Sequence, residues 1–408
     1  MASVSKTLLA LYGGKPALNH ALPPWPYFAP GEIEAVRSVL VSGKVNYWTG
    51  EEGRQFEREY AAHVGTQHAI AVANGTVALE LALHALGIGS GDEVIAPSRT
   101  FIASASCAVM RGAVPVAADV DPASGNITAE TISEVLSART KAIIAVHLAG
   151  WPCDMDPILA LARQHGLRVI EDCAQAHGAT YKGRPVGSMG DIGAFSFCQD
   201  KILSTGGEGG LVTTNDDRIW ELAWSFKDHG KSHEATYKRE HAPGFRWLHE
   251  SFGTNWRLTE MQSAIGRVLL RELPERIRLR RRNAAILDNA FSRIPAFRVT
   301  LPPEGYGHSY YKYYVYLRPE RIRSGWDRDR IVAAINAEGA PCFTGTCSEI
   351  YLEKAFPESM RPRQRHPNAR ILGATSLMFL VHHTISVEEM EAVCRAVDKV
   401  MSHAVNAD

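Results

Sequence analysis

Seven short apolar runs punctuate the first 215 residues: HAIAV (68–72), EVIAP (93–97), VPVAADV (114–120), AIIAVHL (142–148), RVIED (168–172), GAFSF (193–197) and GLVTT (210–214). Each is bounded by turn-forming or polar residues. Their unbroken apolar character predicts strands covered on both faces, as in a mostly parallel sheet. Between them, VALELALHALG (77–87), TAETISEVLSA (128–138) and PILALARQHG (157–166) carry helical patterns. Strand and helix in alternation predict an α/β layered architecture.

Beyond residue 215 the regularity lapses. KDHGKSHEATYKREHAPGF (227–245) is polar and histidine-bearing, and predicts a long loop of the kind that serves function or flexibility. A long helical pattern then runs from TEMQSAIG to FSRI, with Pro274 predicting a break or kink. Its run RIRLRRR could form a nucleic-acid patch, but interleaved leucine and isoleucine at helical spacing favour a solvated helix face. From about residue 295, the strand signal KYYVYLRP and the helical patterns DRDRIVAAINAEG and VEEMEAVCRAVDKVM suffice for a small α/β domain. There is no internal repeat and no low-complexity segment.

At 408 residues the chain has room for two domains, or for one large domain with an appendage. Basic and acidic residues balance at 44 each, so no global charge draws the chain to nucleic acid or an anionic membrane. The seven cysteines follow no metal-ligand spacing; even Cys342 and Cys347 lack a second pair, so reduced thiols and no metal are expected. The apolar run near the N-terminus is too short for a secretory signal, and no run approaches the ~20 residues that span a bilayer. A cytoplasmic protein is the expectation.

The candidate chemistry gathers where predicted strands end. Lys201, in FSFCQDKILSTGGEGG, follows an apolar strand and precedes a glycine-rich turn, where an amine could hold an aldehyde cofactor. Glycines 206, 207, 209 and 210 let the backbone turn tightly after it. Asn74-Gly75-Thr76 opens a predicted helix, whose free N–H groups and dipole suit a phosphate, although taken alone a capped helix after a tight turn is the better explanation. Asp172 ends an apolar strand and could pair with a pyridinium nitrogen, or simply cap the next helix. Ser196 could donate its hydroxyl to the same phosphate, or be only a strand residue. Phe101 could stack on a flat ring, or pack in the core. Together they fit one cofactor, pyridoxal 5′-phosphate, with its phosphate at Asn74–Thr76 and Ser196, its ring nitrogen at Asp172 and its aldehyde at Lys201.

These segments, with GEIEAVRSVLVSG, ANGTVALELAL, IEDCAQAHGA and GTNWRLTEMQSAIG, resemble the DegT/DnrJ/EryC1/StrS sugar aminotransferases over nearly the whole chain. The resemblance implies the fold-type I (aspartate aminotransferase-like) α/β architecture. A large cofactor-binding domain with a mostly parallel seven-stranded sheet would occupy residues 1–270, and a small C-terminal α/β domain residues 271–408. It implies that Lys201 is the Schiff-base lysine, Asp172 the partner of the pyridine nitrogen and Gln175 a neighbour of the ring's phenolic oxygen. Gly75, Thr76 and Ser196 would hold the phosphate, Phe101 would stack on the ring, and Asn255 would reach the phosphate of the neighbouring subunit. A homodimer with shared active sites follows. The implied activity moves an amino group from glutamate or glutamine to a keto sugar, most often nucleotide-linked, through pyridoxamine 5′-phosphate. A keto-cyclitol of the scyllo-inosose type is the alternative acceptor. A subgroup that removes a sugar hydroxyl carries histidine in place of the lysine, so Lys201 favours transamination over dehydration; a non-catalytic regulatory homologue is disfavoured by the intact cofactor set. His308, Tyr310, His382 and His383, in HSYYKYYVY and VHHT, are candidate substrate contacts, with packing as their alternative.

Overall fold

A computed structural model describes residues 8–406. The predicted alternation forms β1 (His68–Val72), β2 (Glu93–Pro97), β3 (Val114–Ala118), β4 (Thr140–Val146) and β5 (Arg168–Asp172). A short hairpin follows, β6 (Thr180–Tyr181) and β7 (Arg184–Pro185), and then β8 (Ile192–Ser196) and β9 (Gly210–Thr214). Seven of these make one sheet in the order β1-β9-β8-β5-β4-β2-β3, in which β9 alone runs against the others. A sheet covered on both faces should be apolar along its strands, and β2, β8 and β9 are buried at every position.

The N-terminal helices α1 (Pro30–Ser42) and α2 (Glu52–Val64) pack on a long helix later in the chain (Glu260–Phe291), while α3 (Gly75–Ala85), α4 (Ala103–Met110), α5 (Ala129–Ser133) and α6 (Met155–His165) connect the strands. The polar stretch predicted to be a long loop begins in α7 (Asp217–Lys227) and contains a short helix, α8 (His233–Tyr237), capped by the Ser232 hydroxyl on Ala235 N–H. The long helix α9 (Glu260–Phe291) runs unbroken through Pro274, contrary to the predicted break. The lost hydrogen bond is outweighed by packing, since Leu269, Leu270, Leu273 and Ile277 are all buried on either side of the proline.

The C-terminal half of α9 enters a second core, where Ala284, Leu287 and Phe291 pack with Leu9 and with a four-stranded antiparallel sheet. That sheet joins β10 (Phe297–Arg298), β12 (Tyr313–Leu317), β14 (Ser376–Phe379) and β13 (Cys342–Phe343), while β11 (Tyr306–Gly307) pairs with β6 of the hairpin. Helices α10 (Arg328–Ala337), α11 (Pro367–Thr375) and α12 (Val387–Ala404) complete it. The run RIRLRRR is a solvated face only in part: Arg278 and Arg281 are exposed, whereas Arg276 and Arg280 turn inward and are buried. Their four-residue spacing puts them on the helix side that also buries Leu273 and Ile277.

Candidate active site

Parallel strands deliver their following loops to one edge of a sheet, so the ends of β1, β2, β4, β5 and β8 should converge. They do. Asn74 caps α3, its side-chain oxygen accepting from Val77 N–H at 3.0 Å, so Gly75 and Thr76 begin the helix with N–H groups that have no acceptor within it. Ser196, the last residue of β8, closes on this helix start. A Cβ on Gly75 would lie 2.6 Å from Ser196 Cβ and 3.0 Å from its Oγ, and one on Gly210 would strike the Asn74 carbonyl. Two backbone N–H groups, a serine hydroxyl and a helix dipole share a cradle that no larger residue at position 75 would leave open.

The Ser196 backbone is fixed from behind by a buried relay. His177 donates from Nε2 to the Ser196 carbonyl at 2.8 Å, and its Nδ1 accepts from the Tyr60 hydroxyl at 2.8 Å. Burial pushes His177 down to about 3, so the ring is neutral with the proton on Nε2. His177 stands inside the EDCAQAHGA motif, five residues after Asp172, yet only the fold shows what it holds.

Asp172 ends β5 and is buried. Its carboxylate accepts from the Ser104 hydroxyl at 2.9 Å and from Ala174 N–H at 3.1 Å. Burial raises its pKa, with Ala174 N–H, the Ser104 hydroxyl and the Lys201 charge opposing. A buried carboxylate met only by neutral donors at bonding distance calls for a cationic N–H partner. The adjacent Glu171 points elsewhere and is saturated. It accepts from Gly187, Met189 and Gly190 N–H at 2.7 to 2.9 Å and from His147 Nε2 at 3.1 Å, while His147 Nδ1 accepts from Cys153 N–H. The His147–Glu171–Cys173 cluster therefore has its imidazole and carboxylate lone pairs engaged as a structural clamp between β4, β5 and the loop before β8.

Lys201 lies five residues beyond Ser196 in the turn after β8. Its Nζ is 3.4 Å from Asp200 and 4.9 Å from the centre of the Tyr311 ring, and the Tyr311 hydroxyl donates to Asp200. Burial opposes ionisation of Asp200, but Lys201 and the Tyr311 hydroxyl outweigh it and hold its pKa below the usual range. From above, the Trp25 indole N–H donates to the Asp200 and Lys201 carbonyls at 3.3 and 3.2 Å.

Around this core, Phe101 stands in the turn between β2 and α4 with 64% of its surface exposed, which excludes the core-packing alternative. Gln175 follows β5, and its side-chain oxygen accepts from Ala149 N–H at 2.7 Å. Asn255 is exposed on a segment that joins the large sheet through Ala73 N–H to the Trp256 carbonyl at 2.8 Å. The four candidate substrate residues divide. His308 and Tyr310 stack on each other at 3.8 Å, and His308 Nδ1 accepts from Tyr310 N–H, an internally satisfied pair. His382 and His383 instead flank Trp25 at 5.9 and 5.0 Å, over the Lys201 turn. Ser104, Tyr311 and Asp200 escaped the sequence reading because nothing local marks them; their partners lie 68 and 111 residues away.

The donor set fits pyridoxal phosphate. A neutral-donor cradle at a helix N-terminus suits its dianion, a buried carboxylate short of positive charge suits its ring N–H, and an amine stands at the same sheet edge.

The profile of the DegT/DnrJ/EryC1/StrS aminotransferase family matches residues 27–398. The chain is 37% identical to GDP-perosamine synthase of Caulobacter vibrioides, over 87% of this chain and 92% of that one. It is 38% identical to L-glutamine:2-deoxy-scyllo-inosose aminotransferase of Streptoalloteichus tenebrarius, over 97% and 98%. The crystal structure of an aminotransferase from Psychrobacter cryohalolentis superposes with a TM-score of 0.92 at 55% identity, over 94% of this chain and 99% of that one.

Proposed function

The chain belongs to the DegT/DnrJ/EryC1/StrS family and is a pyridoxal phosphate-dependent aminotransferase of fold type I, and on that premise we propose which residues hold the cofactor and what is aminated. Lys201 binds the aldehyde and Asp172 the ring nitrogen. Gly75, Thr76 and Ser196 hold the phosphate, joined by Asn255 of a second copy, and Phe101 covers the ring. Gln175, whose oxygen is already taken by Ala149 N–H, has only N–H donors left for the phenolic oxygen. The observation that carries the assignment is the buried, under-neutralised Asp172 on the same sheet edge as the Gly75–Ser196 cradle and the Lys201 amine.

When bound, the cofactor serves as electron sink and amino carrier. The chain's part is positional and protonic. Asp172 keeps a proton on the ring nitrogen, which its buried, anion-disfavouring setting strengthens. Lys201 Nζ would take the proton from the donor's α-carbon, hold it beside Asp200, and return it to the carbon on the other side of the donor's nitrogen. Water would then release the donor as its 2-oxo acid, leaving the amino group behind, before the keto substrate enters and the same groups work in reverse, with water given back.

We read the acceptor as a nucleotide-linked keto sugar, following GDP-perosamine synthase, with a keto-cyclitol as second reading because the 2-deoxy-scyllo-inosose enzyme matches over almost its whole length. The reading includes a homodimer, supported by Phe245 and Trp247 standing 78% and 81% exposed before the Asn255 segment, and a division into domains within α9 near residue 271. It also includes a cytoplasmic enzyme of small molecules without nucleic-acid partner; no helix among the described residues is long and apolar enough to cross a membrane. In the test, cofactor-loaded protein should lose its visible absorption on addition of glutamate or glutamine and regain it with one of a panel of nucleotide-linked keto sugars and keto-inositols. No bleaching with any amino donor would refute the reading.

A further inference from the structure

Arg280 is one of the largest fully buried side chains, at 1% exposure, and among the described residues it has no carboxylate partner. Its Nη1 donates to the Tyr310 and Tyr311 carbonyls at 3.2 and 3.3 Å, while its Nε is buried without an acceptor. Arg276, one turn earlier on α9, shows the contrast, because Glu32 at 3.2 Å and Glu272 at 2.7 Å neutralise it. A second cation stands beside Arg280. The Lys312 amine lies 4.8 Å from the centre of the Tyr311 ring, the ring that Lys201 approaches to 4.9 Å.

Three cations therefore surround Tyr311, and the carboxylate among them, Asp200, is already engaged by Lys201 and the Tyr311 hydroxyl. His382 and His383 add no charge, since burial pushes both down to about 3. Trp25 closes the cluster from above, with the Arg280 guanidinium 5.6 Å from its ring. Burial presses against the surplus, pushing Lys312 down to about 8 and Arg280 to about 9. Uncompensated buried cations are costly, and a site that keeps them is built for an anion that arrives later. The cofactor's phosphate belongs to the Gly75–Ser196 cradle on other elements, and its phenolic oxygen to Gln175. Two anions are still without a partner, the diphosphate of a nucleotide-linked acceptor and the carboxylate of the amino donor. The carboxylate is bonded directly to the α-carbon on which Lys201 works and so must lie beside that amine, whereas the diphosphate is a sugar ring away from the reacting carbon.

We propose that Lys312 and Arg280 form the subsite that binds the carboxylate of the amino donor beside Lys201. The inference rests on the reading of Lys201 as the cofactor lysine. Lys312 reaches the carboxylate as a point charge and Arg280 supplies its unpaired Nε–H from beneath. Placed there, the donor would present its amine toward the Lys201 end of the pocket.

The experiment uses cofactor-loaded enzyme and glutarate, which has the carboxylates of glutamate but no amine and so binds without reacting. Lys312→Met should weaken glutarate in calorimetry, and raise the donor KM, by about tenfold or more, the loss of a charge-assisted contact. The KM of the keto acceptor and the affinity for a free nucleoside diphosphate should stay within about twofold, and Lys312→Arg should restore most of the glutarate affinity. Unchanged glutarate binding in Lys312→Met would overturn the proposal, as would a loss confined to the nucleoside diphosphate, which would make the cluster a phosphate site. Both outcomes leave the Lys201 reading standing. That reading fails separately if wild-type enzyme holds its cofactor at another lysine.

Discussion

Replacing Gly75 by alanine tests the cofactor cradle with one methyl group. The new Cβ would sit 2.6 Å from Ser196 Cβ and 3.2 Å from its Cα, where ordinary carbon contacts begin near 3.5 Å, so α3 or the end of β8 must retreat by about 1 Å. Neither retreats freely, because Ser196 is held through His177 and Tyr60 and α3 is packed against β8 and α7. Overpacking of this kind costs about 1–3 kcal/mol, or a few degrees of melting temperature. The larger effect falls on the cofactor. A displacement on that scale breaks or lengthens a charge-assisted phosphate contact worth about 1.5–3 kcal/mol, so the dissociation constant for pyridoxal phosphate should rise about 10- to 100-fold. The assay is a titration of cofactor-free protein followed by absorbance, with thermal melts in parallel. Gly31→Ala is the control, since its Cβ meets only Val268 Cγ1 at an ordinary 3.7 Å and should leave cofactor affinity unchanged. Wild-type affinity in Gly75→Ala would refute the placement of the phosphate between α3 and Ser196.

Three further outcomes follow from the same geometry. Asp172→Asn should retain the cofactor through its phosphate yet lose about 10²–10³-fold in kcat, as when one preorganised electrostatic partner is removed. Because burial raises the Asp172 pKa, its ionised form detracts from stability as pH rises through the raised value, so at neutral pH the cofactor-free variant should melt no lower than wild type in calorimetry. Tyr60→Phe leaves His177 Nδ1 buried without a donor and should destabilise by about 1–3 kcal/mol in denaturant titration. Glutarate affinity should be retained below about pH 8 and fall above it as Lys312 loses its proton; Arg280 and Lys201 repel that ammonium, Asp200 attracts it, and His382 beside it stays neutral throughout. Calorimetry of Lys312→Arg should show no such fall around pH 8, where the Lys312 amine gives up its proton.

What was legible in the sequence is what local pattern encodes. All seven apolar runs became the seven strands of the large sheet, because a strand buried on both faces must be apolar throughout. Asp172, Ser196 and Lys201 could be found because they sit at or just past the ends of those strands, where topology rather than packing determines position. The illegible part depends on distant partners. Pro274 failed to stop α9 because its flanking leucines are clamped by helices far away in the chain. Arg276 and Arg280 seemed solvated because charges default to water, and the Glu32 that admits Arg276 to the interior is 244 residues distant. Phe101 carried no sign of its exposure, since an aromatic at a strand's end looks the same whether it faces the core or an open cleft.

Everything proposed for the site turns on the amine of Lys201 carrying the cofactor. Borohydride reduction of the loaded enzyme converts the linkage between the cofactor's aldehyde carbon and the lysine nitrogen into a stable amine, and proteolysis with mass spectrometry then locates it. The pyridoxyl mass should fall on the peptide containing Lys201 and be lost in Lys201→Ala. A pyridoxyl label on Lys312 or any other lysine, or amino transfer persisting in Lys201→Ala, would contradict it.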